Sequence, residues 1–318
     1  MRTVLIIPYF GEFPSYFQIF LNSCKNNKDF NWIIYTDNNK IYDYPENVLV
    51  KKISFNEMKE KILKKFDFYF EIKSVHKLCD LKPAYGYIFE DDIQCYDFWG
   101  FCDLDVVWGK LNNFITEEIL KKYDKIYTVG HLTLFRNNYE NNRRFMSKYK
   151  DEYLYKKAFC YSRELVFDEG FRGSINNIYE ENNYPMYTKF DCADIYTKSS
   201  NFRMVGLEND RHLVIYENKK GIFWWNKGRL LYIYREKNEI LEKEYAYIHL
   251  QKRKMKVKGN VLCSESIKIV PNVFEEQLEP VTKENFDEIK KKYFNMHYFI
   301  LRSKNLKYKI MLRLGLLD

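Results

Sequence analysis

The stretch Phe98-Trp-Gly-Phe-Cys-Asp-Leu-Asp-Val-Val-Trp108 decides how the rest of the chain is read. Bulky apolar residues on both sides of it predict a strand inside a core. Within that run stand two carboxylates, Asp103 and Asp105, with one residue between them. A buried carboxylate without a partner is costly, and two so close together also repel each other. A divalent cation at the end of the strand removes both problems. Mg²⁺ and Mn²⁺ favour carboxylate oxygens and leave positions open for substrate phosphates. Asp103-Leu104-Asp105 is therefore read as an Asp-x-Asp metal site that holds a nucleotide diphosphate.

Upstream, a short β-branched run over residues 3–7 is stopped by Pro8, as a buried parallel strand would be. Helical spacing follows over residues 15–26, then a second buried strand over 32–36 that ends at Asp37. Strand, loop, helix and strand make the βαβ unit of an α/β sheet. Ligands bind beyond the carboxyl ends of such strands, where Pro8, Tyr9, Phe10, Gly11 and Asp37 fall. A nucleoside can stack on the aromatics and bond the acid; the bland alternative is that Tyr9 and Phe10 are packed loop residues. Residues 48–53 read as a third strand, and 55–70 as a charged outer helix. Ser74 is a helix N-cap candidate, and Pro83 predicts a break and a new helix. Lys77 and Asp80 are one helical turn apart and should meet. Glu90-Asp91-Asp92 reads as a solvated turn.

Downstream, a helix is expected over 112–122. A strand over 126–130 should continue through 131–136, followed by a basic helix over 143–160. Asp168 and Glu169 lie in a glycine-flanked loop before a helix over 174–181. They are the best acids for work on an acceptor hydroxyl; equally, they can cap that helix or pair with Arg172. Short strands are expected over 186–196 and 203–206, a hairpin over 221–228 and a strand over 229–235. A strand over 245–250 contains His249 and runs into Gln251-Lys-Arg-Lys-Met255.

The 318 residues suffice for one large domain or two modest ones. Aromatics make up 18% of the chain, with 28 Tyr and 25 Phe, so a large core is attainable despite 30% charged residues. Twelve Gly and seven Pro argue against a linker-rich or disordered protein. The formal charge of +8 favours an anionic partner: nucleic acid, anionic lipid or a nucleotide-sugar. The seven Cys are odd in number and form no C-x-x-C, which fits reduced thiols in the cytoplasm. The apolar run Val4–Ile7 is too short for the centre of a signal peptide. No apolar run reaches the roughly 18 residues a membrane span requires.

Seven stretches carry a resemblance: IPYFG (7–11), IIYTD (33–37), KLCDLKPAYGYIF (77–89), YDFWGFCDLDVVWG (96–109), GHLTLFRN (130–137), FDEG (167–170) and HLQKRKM (249–255). Together they resemble a bacterial GT-A glycosyltransferase-like family found in capsule and surface-polysaccharide gene clusters. The resemblance implies a GT-A-like, Rossmann-type mixed sheet flanked by helices over residues 1–255. Residues 256–318 would form a helical, basic extension. It implies a metal-dependent enzyme that moves a sugar from a nucleotide-sugar, a UDP-sugar by preference, to a glycan or lipid-linked acceptor. Asp103 and Asp105 would hold Mn²⁺ or Mg²⁺, and His249 resembles the late histidine that completes the metal shell in related galactosyltransferases. Lys252 or Lys254 would stand where those enzymes place a phosphate-binding lysine, although the Lys-Pro-Trp ending they share is missing here. Lys77 and Lys82 would face the donor. The late histidine leans the reading toward retention of anomeric configuration.

Two other classes compete. A non-enzymatic binder of nucleic acid or anionic polymer would use the charge and the tyrosines, but gives no reason for two acids in an apolar strand. A nucleotide-sugar hydrolase or phosphotransferase would use the same metal site. From Lys290 onward, Tyr293, Phe294, Tyr298, Phe299 and Ile300 are interleaved with Lys and Arg. Such a segment either lies on an anionic membrane at the cytoplasmic face or packs on the domain as a terminal helix.

Overall fold

The computed structural model describes residues 1–170, 172–197, 202–208, 212–216, 221–251, 253–289 and 296–314. The chain is a mixed α/β protein with three sheets flanked by helices. In the seven-stranded sheet, strand Thr3–Pro8 pairs in parallel with Phe30–Thr36 on one side and with Phe98–Cys102, the middle strand, on the other. Val48–Lys52 adds in parallel outside Phe30–Thr36. On the other side the direction reverses at Leu132–Arg136, then Lys125–Val129 and Met186–Tyr187 complete the sheet.

Side chains alternate across this sheet with the period of two that a strand imposes. Val4, Ile6, Ile33, Tyr35, Trp99 and Phe101 face one core. Helices Leu154–Cys160 and Ile175–Glu181, together with the broken helical stretch over residues 75–88, cover it. Leu5, Ile7, Trp32, Ile34 and Phe98 face the other, where helix Phe17–Lys25 packs beside Trp108. Strands buried on both faces explain the unbroken apolar runs at 3–7 and 32–36.

The stretch expected to be one strand is two. Phe98–Cys102 belongs to the seven-stranded sheet, whereas Val106–Trp108 belongs to a five-stranded sheet. There it pairs antiparallel with Tyr247–His249, which pairs in parallel with Ala193–Ile195. Asp103, Leu104 and Asp105 thus lie where the chain leaves one sheet for the next. The acids interrupt the strand because a doubly buried ladder has no room for their charge.

A six-stranded sheet joins Gly221–Asn226, Arg229–Glu236 and Glu239–Tyr245 to Lys256–Val257, Ser266–Val270 and Val273–Glu276. The division expected after residue 255 therefore runs through a sheet. Phe223 pairs with Ile269, and both are buried in one core with Ile248.

Four local expectations are corrected. Residues 126–136 do not run straight on but form a hairpin turning at Gly130-His131, with an irregularity at Tyr127, whose φ is 68°. The basic helix of 143–160 is a 3-10 turn, Asn141–Met146, then a tight turn bridged between Tyr149 and Glu152, and helix Leu154–Cys160. Lys150 and Asp151 take positive φ in between, which no α-helix accommodates. The charged helix from Phe55 ends at Leu63, started by a capping box of Ser54 and Glu57, and it buries Met58 and Ile62. Asp92 is only partly solvated. It bonds the Tyr35 hydroxyl at 2.6 Å and pairs with Lys61 at 2.9 Å and with Lys51. Burial opposes its ionisation, but these partners win and hold its carboxyl down at about 2.

Among the described residues no helix is long and apolar enough to cross a membrane.

Candidate metal and nucleotide site

Strand register builds the site. His249 lies opposite Val106 on one neighbour and opposite Asp194 on the other. The Leu250 amide donates to the Asp105 carbonyl at 2.8 Å, which locks the two segments together. His249 Nε2 consequently stands 3.3 Å from Asp105 Oδ1 and 3.8 Å from Asp103 Oδ2. One ligand atom from each of Asp103, Asp105 and His249 lies within 4.8 Å of the others. Asp105 and His249 are buried, whereas the Asp103 side chain is 38% exposed. The donor set is thus closed on the protein side and open on one edge. Two carboxylates and one imidazole suit Mn²⁺ better than Mg²⁺, which prefers oxygen throughout.

His249 Nδ1 bonds Asp194 Oδ1 at 2.8 Å, and Gln251 Nε2 donates to the same oxygen at 2.7 Å. Burial opposes a charge on His249, but Asp105 and Asp194 overcome it and raise the imidazole to about 10. His131, its ring 4.2 Å from that of His249, goes the other way. Burial and the neighbouring imidazole push it down to about 4, and its Nδ1 shares a 2.8 Å hydrogen bond with the Tyr247 hydroxyl. One histidine of the adjacent pair is therefore charged and the other neutral at pH 7. His131, Asp194 and His249 form a second grouping with ligand atoms in reach of one another. Sequence reasoning missed Asp194 and Gln251. The available signal was the acid in Cys192-Ala-Asp-Ile195, the same anomaly that singled out Asp103 and Asp105.

Lys82 also reaches the site. Its ammonium contacts Asp103 Oδ1 at 2.9 Å, the Gly130 carbonyl at 2.7 Å and Asp168 Oδ2 at 3.2 Å. Burial opposes its charge, yet Asp103 and Asp168 raise it well above the usual lysine range. Asp168 is pushed up to about 7 by burial, with Lys82 pulling against that rise. Its Oδ1 is buried with no hydrogen-bond partner among the described residues. Glu169 accepts from the Gly130 amide at 2.8 Å. Neither acid caps the following helix; Ser174 does.

The loop after the first strand comes to the same place. Tyr9 is drawn above the usual phenol range by burial and by the charges of Asp105 and Asp103. Its amide donates to the Tyr35 carbonyl at 2.8 Å, continuing the sheet from Pro8. Asp37 is exposed, and its Oδ1 accepts from the Gly11 amide at 2.9 Å, which fixes the turn where Gly11 takes φ 97°. Phe10 packs against Phe55, ring centroids 5.3 Å apart.

Lys77 is spent elsewhere. It is 3% exposed and is consumed by Asp80 at 2.8 Å and by the carbonyls of Ala158 and Arg163. Asp80 in turn accepts from the amides of Leu165 and Phe167, so this pair anchors the loop that carries Asp168. Lys254 is exposed, and Lys252 lies outside the described residues. Between them Arg253 folds inward, 2% exposed, to Asn272 and the Tyr196 carbonyl.

No curated protein matches the chain. A family model does match, over residues 5–278, which includes every element of this site. The chain belongs to that family, a family of unknown function designated DUF6625.

Proposed function

We propose that the protein is a metal-dependent glycosyltransferase that takes a sugar from a UDP-sugar to a glycan or lipid-linked acceptor in surface-polysaccharide synthesis. The observation that supports this reading best is the convergence of Asp103, Asp105 and His249, with Lys82 beside them, at the junction of two sheets. A GT-A-like arrangement is consistent with the parallel strands Val48–Lys52, Phe30–Thr36, Thr3–Pro8 and Phe98–Cys102, whose carboxyl ends lead to the site.

Asp103, Asp105 and His249 would hold the cation, Mn²⁺ by preference, and the cation would neutralise the diphosphate as it leaves. Lys82 adds positive charge beside Asp103 that favours the leaving group more in the transition state than in the ground state. Tyr9 offers a ring at the strand end for the base. Inversion needs a base on the acceptor hydroxyl, but Asp168 is 3% exposed and Glu169 is committed to the Gly130 amide. Both facts favour retention. All seven cysteines are free thiols, which favours the cytoplasm.

The test is a thermal-shift screen of nucleotide-sugars with Mn²⁺, on the wild type and on Asp105→Ala. A UDP-sugar should raise the melting temperature of the wild type, by about 2.7 kcal/mol of added stability at a hundredfold excess over Kd, and leave the variant unmoved. No stabilisation by any nucleotide-sugar would sink the reading. Product analysis with and without acceptor glycans separates transfer from hydrolysis.

A further inference from the structure

Helix His297–Arg313 presents an apolar stripe to solvent. Ile300, Leu306 and Ile310 are 53%, 60% and 47% exposed, and Met296 and Leu314 continue the stripe at its ends. Backbone bonds from Ile300 to Met296 and from Leu314 to Ile310 keep both end residues on the helical spiral. At 100° per residue these five positions span about 120° of the helix circumference. Lys304 flanks the stripe on one side, Lys309 and Arg313 on the other, and Lys307 lies within it; all four are exposed. From His297 to Leu314 the sequence contains no Asp or Glu.

We propose that this helix docks the protein, lying flat, on an anionic phospholipid surface. Charge decides between occupants. Two copies of the helix packed stripe to stripe would bring like charges together with no acid to offset them. Nucleic acid would meet the lysines but offers its phosphates nothing to gain from Ile300, Leu306 or Ile310. A bilayer with acidic headgroups satisfies both at once: acyl chains accept the stripe and headgroups meet the flanking cations. At 17 residues the helix is about 26 Å long. It lies on the surface and does not span the bilayer, in keeping with its many cations. This proposal stands apart from sugar transfer, since docking requires neither donor nor metal.

The experiment is co-sedimentation of the full chain with phosphatidylcholine vesicles containing about 30% phosphatidylserine, against vesicles of phosphatidylcholine alone. The wild type should pellet with the acidic vesicles and lose binding about fivefold for each of Lys304→Gln, Lys309→Gln and Arg313→Gln at low salt. The triple variant Ile300→Glu, Leu306→Glu, Ile310→Glu should stay in the supernatant while keeping the wild-type melting temperature. Equal pelleting with neutral vesicles, or undiminished pelleting of the triple variant, overturns the proposal. So does absence of pelleting together with a vesicle-free dimer that the triple variant dissolves, because the stripe then belongs to a second copy.

Discussion

His249 Nδ1 and Asp194 Oδ1 stand 2.8 Å apart on adjacent parallel strands, and the other ring nitrogen of His249 faces Asp103 and Asp105. Asp194 thereby fixes both the tautomer and the tilt of the imidazole, as outer carboxylates do for metal-bound histidines. Burial opposes ionisation of Asp194, but the bond to His249 and the nearby imidazoles keep its carboxyl below the usual range.

Asp194→Asn keeps the size of the side chain and removes its charge. The expected outcome is Mn²⁺ affinity lower by about 10–100-fold, read by titration calorimetry, with the fold intact by circular dichroism. Unchanged affinity would mean that His249 is not a ligand or needs no support.

Lys82 is the one cation joining Asp103 to Asp168 among the described residues. Lys82→Met leaves Asp168 buried with no opposing charge. A carboxylate raised in the folded state loses stability as pH rises through its folded value, because the unfolded chain is already ionised. In the wild type that value is about 7; without Lys82 it moves higher still. The variant's deficit should be small at pH 5, where Asp168 is protonated. It should grow above pH 7, to at most about 1.4 kcal/mol more at pH 8, one pH unit's worth for a single proton. Melting temperatures at the two pH values test this, and an equal deficit at both would contradict it.

Much of this arrangement was legible in the chain, and the rest was hidden for an identifiable reason. Short apolar runs closed by Pro8 and Asp37 gave away the parallel strands, because doubly buried strands carry their pattern locally. Asp103 and Asp105 stood out because charge inside an apolar run is costly. Long-range register has no such local trace. Asp194 meets His249 across 55 residues, and the turn at Gly130-His131 is fixed by Lys82 and Glu169 from elsewhere in the chain. Lys77 looked like a donor-facing cation because its spacing reports only that Asp80 is near. It does not report that the amides of Leu165 and Phe167 fold over the pair.

Gly100 lies hard against the neighbouring strand Leu132–Arg136. A Cβ there would stand 2.3 Å from the Thr133 carbonyl oxygen and 2.6 Å from Leu134 Cδ2. The first contact is backbone and cannot swing aside. Gly100→Ala should therefore cost about 1–3 kcal/mol, the range for overpacking, and should displace the strand that leads into Asp103. Urea unfolding measures the cost; a loss below about 0.5 kcal/mol, the range of surface substitutions, would show that the two strands separate easily.

The protonation of His249 makes metal binding measurable through protons. At about 10, its imidazole is charged in the ion-free protein at pH 7.5, whereas a ligating imidazole must be neutral. Binding of Mn²⁺ should then release about one proton per ion, against roughly a tenth of a proton for a histidine at its ordinary value. Affinity should climb about tenfold per pH unit across the neutral range. Calorimetric titrations in Pipes and Tris, whose ionisation enthalpies differ, report the number directly. His249→Gln should bring it close to zero and weaken binding together. If the wild type releases no proton while binding tightly, His249 lies outside the metal shell, and the two carboxylates hold the cation without it.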